Sequence, residues 1–231
     1  MRKSNQVSIQ KMEEGKLDAQ FLAAFLAQKE RDEVSSQKAV EKCHKMIEGI
    51  YADVAKYKDN CGIALTEEDA LRLKAEGKKA FFIGIENGYA IGKDIKNVKK
   101  YKDMGVQYMT LSHSYDNDIC NSSSNTADAS KGLTPFGRKV VKEMNKVGMM
   151  IDVSHVSEGT FWDVMKLSKD PVFASHSSVR ALCDHDRNLT DDQLRALAKN
   201  GGVIQICIYG GYLNENEKEA SVDDVVRHID H

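Results

Sequence analysis

Short apolar runs alternate with helical patterns over most of the chain. Residues 80–85, 108–111, 149–153, 172–174 and 203–208 form such runs, and residues 21–26 read as an earlier one. Between them the apolar positions recur at three- and four-residue spacing, the mark of helices with one buried face. Ile95, Val98 and Tyr101 share a face ahead of Gly105. Phe136, Val140, Met144 and Val147 share another, between the Thr134-Pro135 start signal and the Gly148 stop. Ser157 caps a helix carrying Phe161, Val164, Met165 and Leu167. Thr190-Asp191-Asp192-Gln193 is a capping box ahead of Leu194, Leu197 and Ala198, and Asn200-Gly201 closes that helix. Upstream, residues 33–58 predict one long helix with Val40, Cys43, Ile47, Ile50, Tyr51 and Val54 on its apolar side. Thr66 opens a shorter helix whose first turn, Glu67-Glu68-Asp69, suits the macrodipole. Ser221 starts a further helix that runs to His231, and residues 1–15 read as a polar lead into the first strand.

Runs that are largely apolar without strict alternation read as buried on both faces. Strands of this kind joined by crossover helices predict a parallel sheet in an α/β fold, either an open doubly wound sheet or a (β/α) barrel. No G-x-G-x-x-G follows any run, which weighs against dinucleotide binding. No linker interrupts the pattern, so residues 1–231 read as a single domain containing six strands.

Composition narrows the function classes. Thirty-three Lys+Arg against 35 Asp+Glu give a net charge of −2 in 231 residues, so bulk charge gives no basis for nucleic-acid binding. No apolar stretch approaches the roughly 20 residues that span a bilayer, and residues 1–10 contain no apolar core of a secretory signal. The cytoplasm is therefore the default location, although a signal peptide upstream of this segment is compatible with the sequence. Cys43, Cys61, Cys120, Cys183 and Cys207 are odd in number and lack C-x-x-C spacing, which predicts scattered reduced thiols.

The chemistry-bearing residues fall at strand ends. Glu86 follows the run 80–85, and His113, His155 and His176 each follow a strand by one Ser. A polar residue after one strand is ordinary. Three His on consecutive strands, at the edge where parallel α/β folds hold their ligands, are not. Glu with several imidazoles suits Zn²⁺, Mn²⁺ or Fe²⁺ better than Ca²⁺ or Mg²⁺. Asp116, Asp118 and Asp128 fail the D-x-[DN]-x-[DN]-G calcium pattern and read as a solvated loop, and His44 reads as a boundary residue on the long helix.

Gly84-Ile85-Glu86-Asn87-Gly88, Leu111-Ser112-His113, Gly132-Leu133-Thr134-Pro135-Phe136-Gly137-Arg138, Ile151-Asp152-Val153-Ser154-His155-Val156-Ser157, Ser175-His176-Ser177-Ser178 and Arg187-Asn188 occur in that order. Together they resemble the membrane dipeptidase (renal dipeptidase) family of binuclear zinc peptidases, which have an amidohydrolase-type (β/α)8 TIM barrel. The resemblance implies a zinc-dependent dipeptidase that hydrolyses the peptide bond through a metal-bound hydroxide. It implies that Glu86 bridges two metals, that His155 and His176 complete the second, and that His113 approaches the substrate carbonyl. Arg187 pairs with the dipeptide's carboxylate, and Tyr209 stands where the family has an assisting Tyr. The family's first-strand His-x-Asp pair has no counterpart, since no His precedes His44 and the match begins near Ser4. The Asp that ends the family's eighth strand would lie past His231. The resemblance therefore implies a barrel lacking its first and eighth strands and holding at most about one zinc ion where the complete family holds two, with a tendency for copies to associate. Two rival readings are a catalytically inactive metal-binding barrel fragment and a metal-free phosphate-binding barrel enzyme, for which Gly210-Gly211 is the only Gly-rich candidate.

Overall fold

The computed structural model describes residues 7–124 and 128–231, so the match near Ser4 lies outside the described residues. Seven strands, β1 (Ala19–Phe25), β2 (Cys61–Ile63), β3 (Lys79–Glu86), β4 (Val106–Thr110), β5 (Met150–Asp152), β6 (Phe173–Ser177) and β7 (Val203–Ile206), form one sheet. Every pairing is parallel, in the order β1-β3-β4-β5-β6-β7, with β2 on β3 alone. The sheet curls into a half-barrel, and among the described residues β1 and β7 do not pair with each other. Among the described residues eight α-helices accompany it: α1 (Ile9–Glu14), α2 (Glu33–Ala55), α3 (Glu67–Ala75), α4 (Lys96–Asp103), α5 (Pro135–Val147), α6 (Glu158–Leu167), α7 (Asp191–Lys199) and α8 (Val222–Asp230).

The helix boundaries follow from capping chemistry. The side chains of Asp32, Thr66, Thr134, Ser157, Thr190 and Ser221 each accept a hydrogen bond from a first-turn backbone N–H, and Gly148 closes α5 in the left-handed conformation. Two elements depart from the sequence expectation. Ile9–Glu14 forms a short helix capped by Ser8 within the stretch read as a polar lead, and Met12 anchors it by burying its side chain against Val54, Cys61 and Phe81. β2 is a seventh strand. At three residues with a central Gly it has no periodicity to read, and backbone bonds from Lys79 to Asn60 and from Ala64 to Phe81 define it.

The main core lies between the sheet and its helices. Ile83 and Ile85 of β3, Met109 of β4 and Ile151 of β5 pack with Cys43 and Ile47 of α2, Val98 and Tyr101 of α4, and Val140 and Met144 of α5. The concave face is aromatic. Phe21 sits 5.1 Å from both Phe82 and Tyr108, and Tyr108 packs edge-on against Phe173 at 5.3 Å. Gly84 makes this layer fit, because a Cβ there would lie 2.0 Å from the Tyr108 ring. Side chains alternate faces along a strand, so Glu86 projects on the same side as Phe82 and Gly84, beyond the aromatic layer at the strand's C-terminal end.

Two glycine substitutions test this packing. Gly84→Ala should destabilise the protein by roughly 1–3 kcal/mol through overpacking against Tyr108. Gly49→Ala, inside α2 with nothing within 4 Å of the new methyl, should stabilise it by about 0.5–1 kcal/mol. Urea denaturation of the two variants beside the parent protein checks both signs.

Candidate metal centre

Glu86, His113, His155 and His176 come from β3 and the ends of β4, β5 and β6, and they meet around one carboxylate oxygen. Glu86 Oε1 lies 3.7 Å from His113 Nε2, 3.4 Å from His155 Nε2 and 3.3 Å from His176 Nε2. The potential ligand atoms of Glu86, His113 and His155 all fall within 4.8 Å of one another. The Nε2 atoms of His155 and His176 are 2.8 Å apart. Two imidazole nitrogens at that separation cannot both point a hydrogen at each other, so at least one presents a lone pair to the cluster. A carboxylate oxygen and two imidazole nitrogens converging on one point is a donor set that fits a transition metal.

The local backbone is built for this convergence. His155 itself adopts a left-handed conformation, φ 68°, and so does Asn87 directly after Glu86, φ 85°. The chain thus turns sharply at two of the strand ends. Asn87 is fully buried. Its amide donates to Leu26 O and accepts from Tyr89 N and from the Asn117 amide, which ties β3 to β1 and to the loop after β4. His155 O receives Ser123 N at 2.8 Å. His176 departs from the sequence expectation, because β6 continues to Ser177 and includes it instead of stopping before it. The β6–β7 register slips between Ala174 and Ser177, and His176 lies in the slip. Irregularities of this kind re-aim a side chain.

Burial sets the charge states. Burial alone would raise the Glu86 carboxyl, but the imidazoles of His155 and His176 beside it outweigh that and hold the group well below the usual carboxylate range. Burial pulls His155 down to about 3 against the opposing pull of Glu86, and it lowers His113 in the same way. An anionic Glu86 beside a neutral His155 and His113 is a protonation state that suits metal ligation. His155 Nδ1 is buried without a protein partner.

Arg187 approaches the cluster from the loop after β6. It is 5% exposed. Its guanidinium donates to His176 O at 2.9 Å and Ser177 Oγ at 3.4 Å, while Nε has no partner. Among the described residues no carboxylate stands at ion-pair distance from it. Tyr212, and not Tyr209, carries the ring that the guanidinium overlies, 5.3 Å from its centroid. Tyr209 is half-exposed and packs on Tyr212 at 4.9 Å. Tyr209 precedes the turn Gly210–Tyr212, and Tyr212 ends it.

Asp152 and His228, to which the sequence reading gave no role, build this region. Asp152, wholly buried, accepts hydrogen bonds from Thr110 Oγ1, Ser175 Oγ and the backbone N–H groups of Ser154 and Ser175. The signal was present as a charged residue inside the run 149–153. His228 of α8 accepts from Val179 N through Nδ1 and donates through Nε2 to Leu213 O, so it joins the loops that carry Arg187 and Tyr212. His44 packs edge-on to Tyr101, as a boundary residue should. Asp116 accepts from Ser122 N and the Asn121 amide, bracing the loop after β4. Among the described residues no helix is long and apolar enough to cross a membrane.

The neutral His155 has a consequence for stability. In the unfolded chain it takes up a proton below its ordinary value of 6.5, whereas in the fold it does so only near 3. The unfolded state therefore binds more protons in that window, and stability falls as pH drops from about 6.5 toward 3. Metal-free protein should show this slope in urea midpoints measured across the window, and His155→Gln should flatten it.

The chain's likenesses agree with this geometry. The profile of the membrane dipeptidase family, peptidase family M19, matches residues 1–231. The chain is 32% identical over 230 residues to a Schizosaccharomyces pombe protein named uncharacterized dipeptidase C965.12, covering 96% of this chain and 55% of that one. It is 37% identical over 175 residues to dipeptidase tcpJ of Claviceps purpurea, covering 76% of this chain and 41% of that one. The chain thus spans about half the length of these curated relatives. Among solved structures, the probable dipeptidase PvdM from Pseudomonas aeruginosa superposes with a TM-score of 0.85 at 31% identity, over 93% of this chain and 56% of that one. With a match along its whole length and a parallel half-barrel whose strand ends gather one Glu and three His, the chain belongs to the membrane dipeptidase family.

Proposed function

We propose that this chain supplies the second-metal ligands, the carbonyl-facing His and the carboxylate-binding Arg of a zinc-dependent dipeptidase. The observation that carries the reading is the pairing of the Glu86–His155–His176 cluster with a buried guanidinium that lacks an anionic partner among the described residues. Glu86, His155 and His176 hold the metal, which when bound supplies Lewis acidity at the scissile carbonyl.

The other roles follow from what each side chain can do. A buried Arg without a counter-charge attracts a carboxylate and can take it bidentately. The C-terminal carboxylate of a dipeptide meets that need, and a longer peptide has no carboxylate at the same distance from the bond. Tyr212 holds the guanidinium plane by stacking. The tyrosine role assigned from the resemblance to Tyr209 therefore passes in this reading to Tyr212, with Tyr209 behind it. His113 is kept neutral by burial, and its Nδ1 lies 2.9 Å from Ser114 Oγ. With the Ser114 hydroxyl donating to Nδ1, Nε2 carries the proton toward the cluster, where it can donate to an oxygen gaining negative charge.

One metal position has three protein ligands here, which is the number a catalytic Zn²⁺ site uses. The protein should therefore retain about one zinc ion per chain after dialysis. His176→Ala should lose it and His44→Ala should keep it, as read by elemental mass spectrometry. Retention of zinc by His176→Ala would overturn the ligand assignment. On the zinc-loaded protein, Arg187→Ala should weaken dipeptide binding by roughly 2–5 kcal/mol. Calorimetry should find the parent, but not the variant, discriminating a dipeptide from its C-terminal amide.

A further inference from the structure

His176 is the ligand with a built proton arrangement behind it. Its Nδ1 lies 2.6 Å from Ser175 Oγ, and Ser175 Oγ lies 2.6 Å from Asp152 Oδ2. Asp152 is wholly buried and receives four hydrogen bonds. Oδ1 takes the backbone N–H groups of Ser154 at 2.9 Å and Ser175 at 3.0 Å. Oδ2 takes the hydroxyls of Thr110 and Ser175, both at 2.6 Å. Separations of that size between a hydroxyl and an oxygen are those of a charge-assisted bond to a carboxylate.

The direction of every bond in the chain then follows. The backbone groups can only donate, which fixes Asp152 Oδ1 as an acceptor. A Ser hydroxyl has one hydrogen, and Ser175 gives it to Asp152 Oδ2. Ser175 Oγ can then only accept from His176, so the hydrogen of the neutral imidazole sits on Nδ1. Nε2, which points at Glu86 and His155, is left with its lone pair. His155 differs, since its Nδ1 is buried without a protein partner.

We propose that Asp152 and Ser175 are positioning residues that lock His176 in the Nδ1–H tautomer, so that its Nε2 is ready to bind metal before the metal arrives. The proposal rests on the metal-centre reading for its consequence, but the tautomer itself does not depend on it. Partners behind a ligating His hold its ring and tautomer, and losing one typically costs roughly 10–100-fold in metal affinity.

Asp152→Asn gives the sharpest test because it reverses the chain without changing its shape. The two backbone N–H groups still need an acceptor, so the amide oxygen takes the Oδ1 place and the NH₂ takes the Oδ2 place. The NH₂ donates to Ser175 Oγ, whose own hydrogen then goes to His176 Nδ1, and the imidazole proton moves to Nε2. In metal-free, histidine-labelled protein at mildly alkaline pH, the ring nitrogen shifts should report Nδ1–H for His176 in the parent and Nε2–H in Asp152→Asn. His176→Ala assigns the signal. Zinc affinity by chelator competition should fall roughly 10–100-fold in Asp152→Asn and in Ser175→Ala, and Ser175→Thr, which keeps the hydroxyl, should restore most of it. Far-ultraviolet circular dichroism confirms folding, and Ser175→Ala carries the affinity test if Asp152→Asn does not fold.

An Nε2–H tautomer for His176 in the parent protein would overturn the proposal. So would parent-like zinc affinity in Ser175→Ala when His176→Ala has lost the metal. If His176→Ala keeps its zinc, the metal-centre reading fails, and the ring nitrogen shifts still decide the tautomer.

Discussion

A carboxylate buried among imidazoles is stable only where the backbone forces the groups together and the proton inventory leaves the right atoms bare. Parallel pairing does the first. Five consecutive pairings without a reversal put the ends of β3, β4, β5 and β6 on one rim, and Glu86, His113, His155 and His176 arrive there because each lies at or just past a strand end. Burial does the second by keeping His155 and His113 neutral while Glu86 keeps its charge. The aromatic layer of Phe21, Phe82, Tyr108 and Phe173 lines the concave face beneath them. Even Gly84 belongs to this arrangement, since Tyr108 occupies the space its side chain would need.

Two amides and an imidazole near the rim are matched in both hydrogen-bonding senses. The Asn87 and Asn117 amides use oxygen and nitrogen to join β1, β3 and the loop after β4. His228 does the same for the loops after β6 and β7, with one ring nitrogen on each. These are buried amides and a buried imidazole with fixed partners, so each resists rotation as well as displacement. The loops that carry Arg187 and Tyr212 are thereby tied to α8 and to each other.

Most of the scaffold was legible in the sequence, because its signals are local. Caps at Thr134, Ser157, Thr190 and Ser221 start their helices where expected, and the runs at 80–85 and 108–111 become β3 and β4. That Glu86, His113, His155 and His176 would gather on one rim was legible because strand ends and rare residue types coincide. Features that depend on tertiary context were not. Three residues of β2 carry no period, and α1 is held by Met12 against distant partners. His176 sits in a register slip that no single-strand pattern encodes. Which tyrosine meets Arg187 depends on how a short turn rotates three residues. Asp152 stood in plain view inside an apolar run, but its role needs Thr110 and Ser175, which are 42 and 23 residues away.

The left-handed backbone at His155 ties two demands to one residue. The turn by itself would accept Gly or Asn, but neither offers an imidazole. A replacement such as Glu keeps a donor atom but strains the turn. Any lineage that exchanged this side chain would have to rebuild the turn in the same step, because neither change works alone. At His176, in an extended strand, the backbone makes no such demand, and the constraint comes from Ser175 and Asp152 behind the ring. The two imidazoles are therefore fixed by different means, one by the shape of the chain and the other by its neighbours.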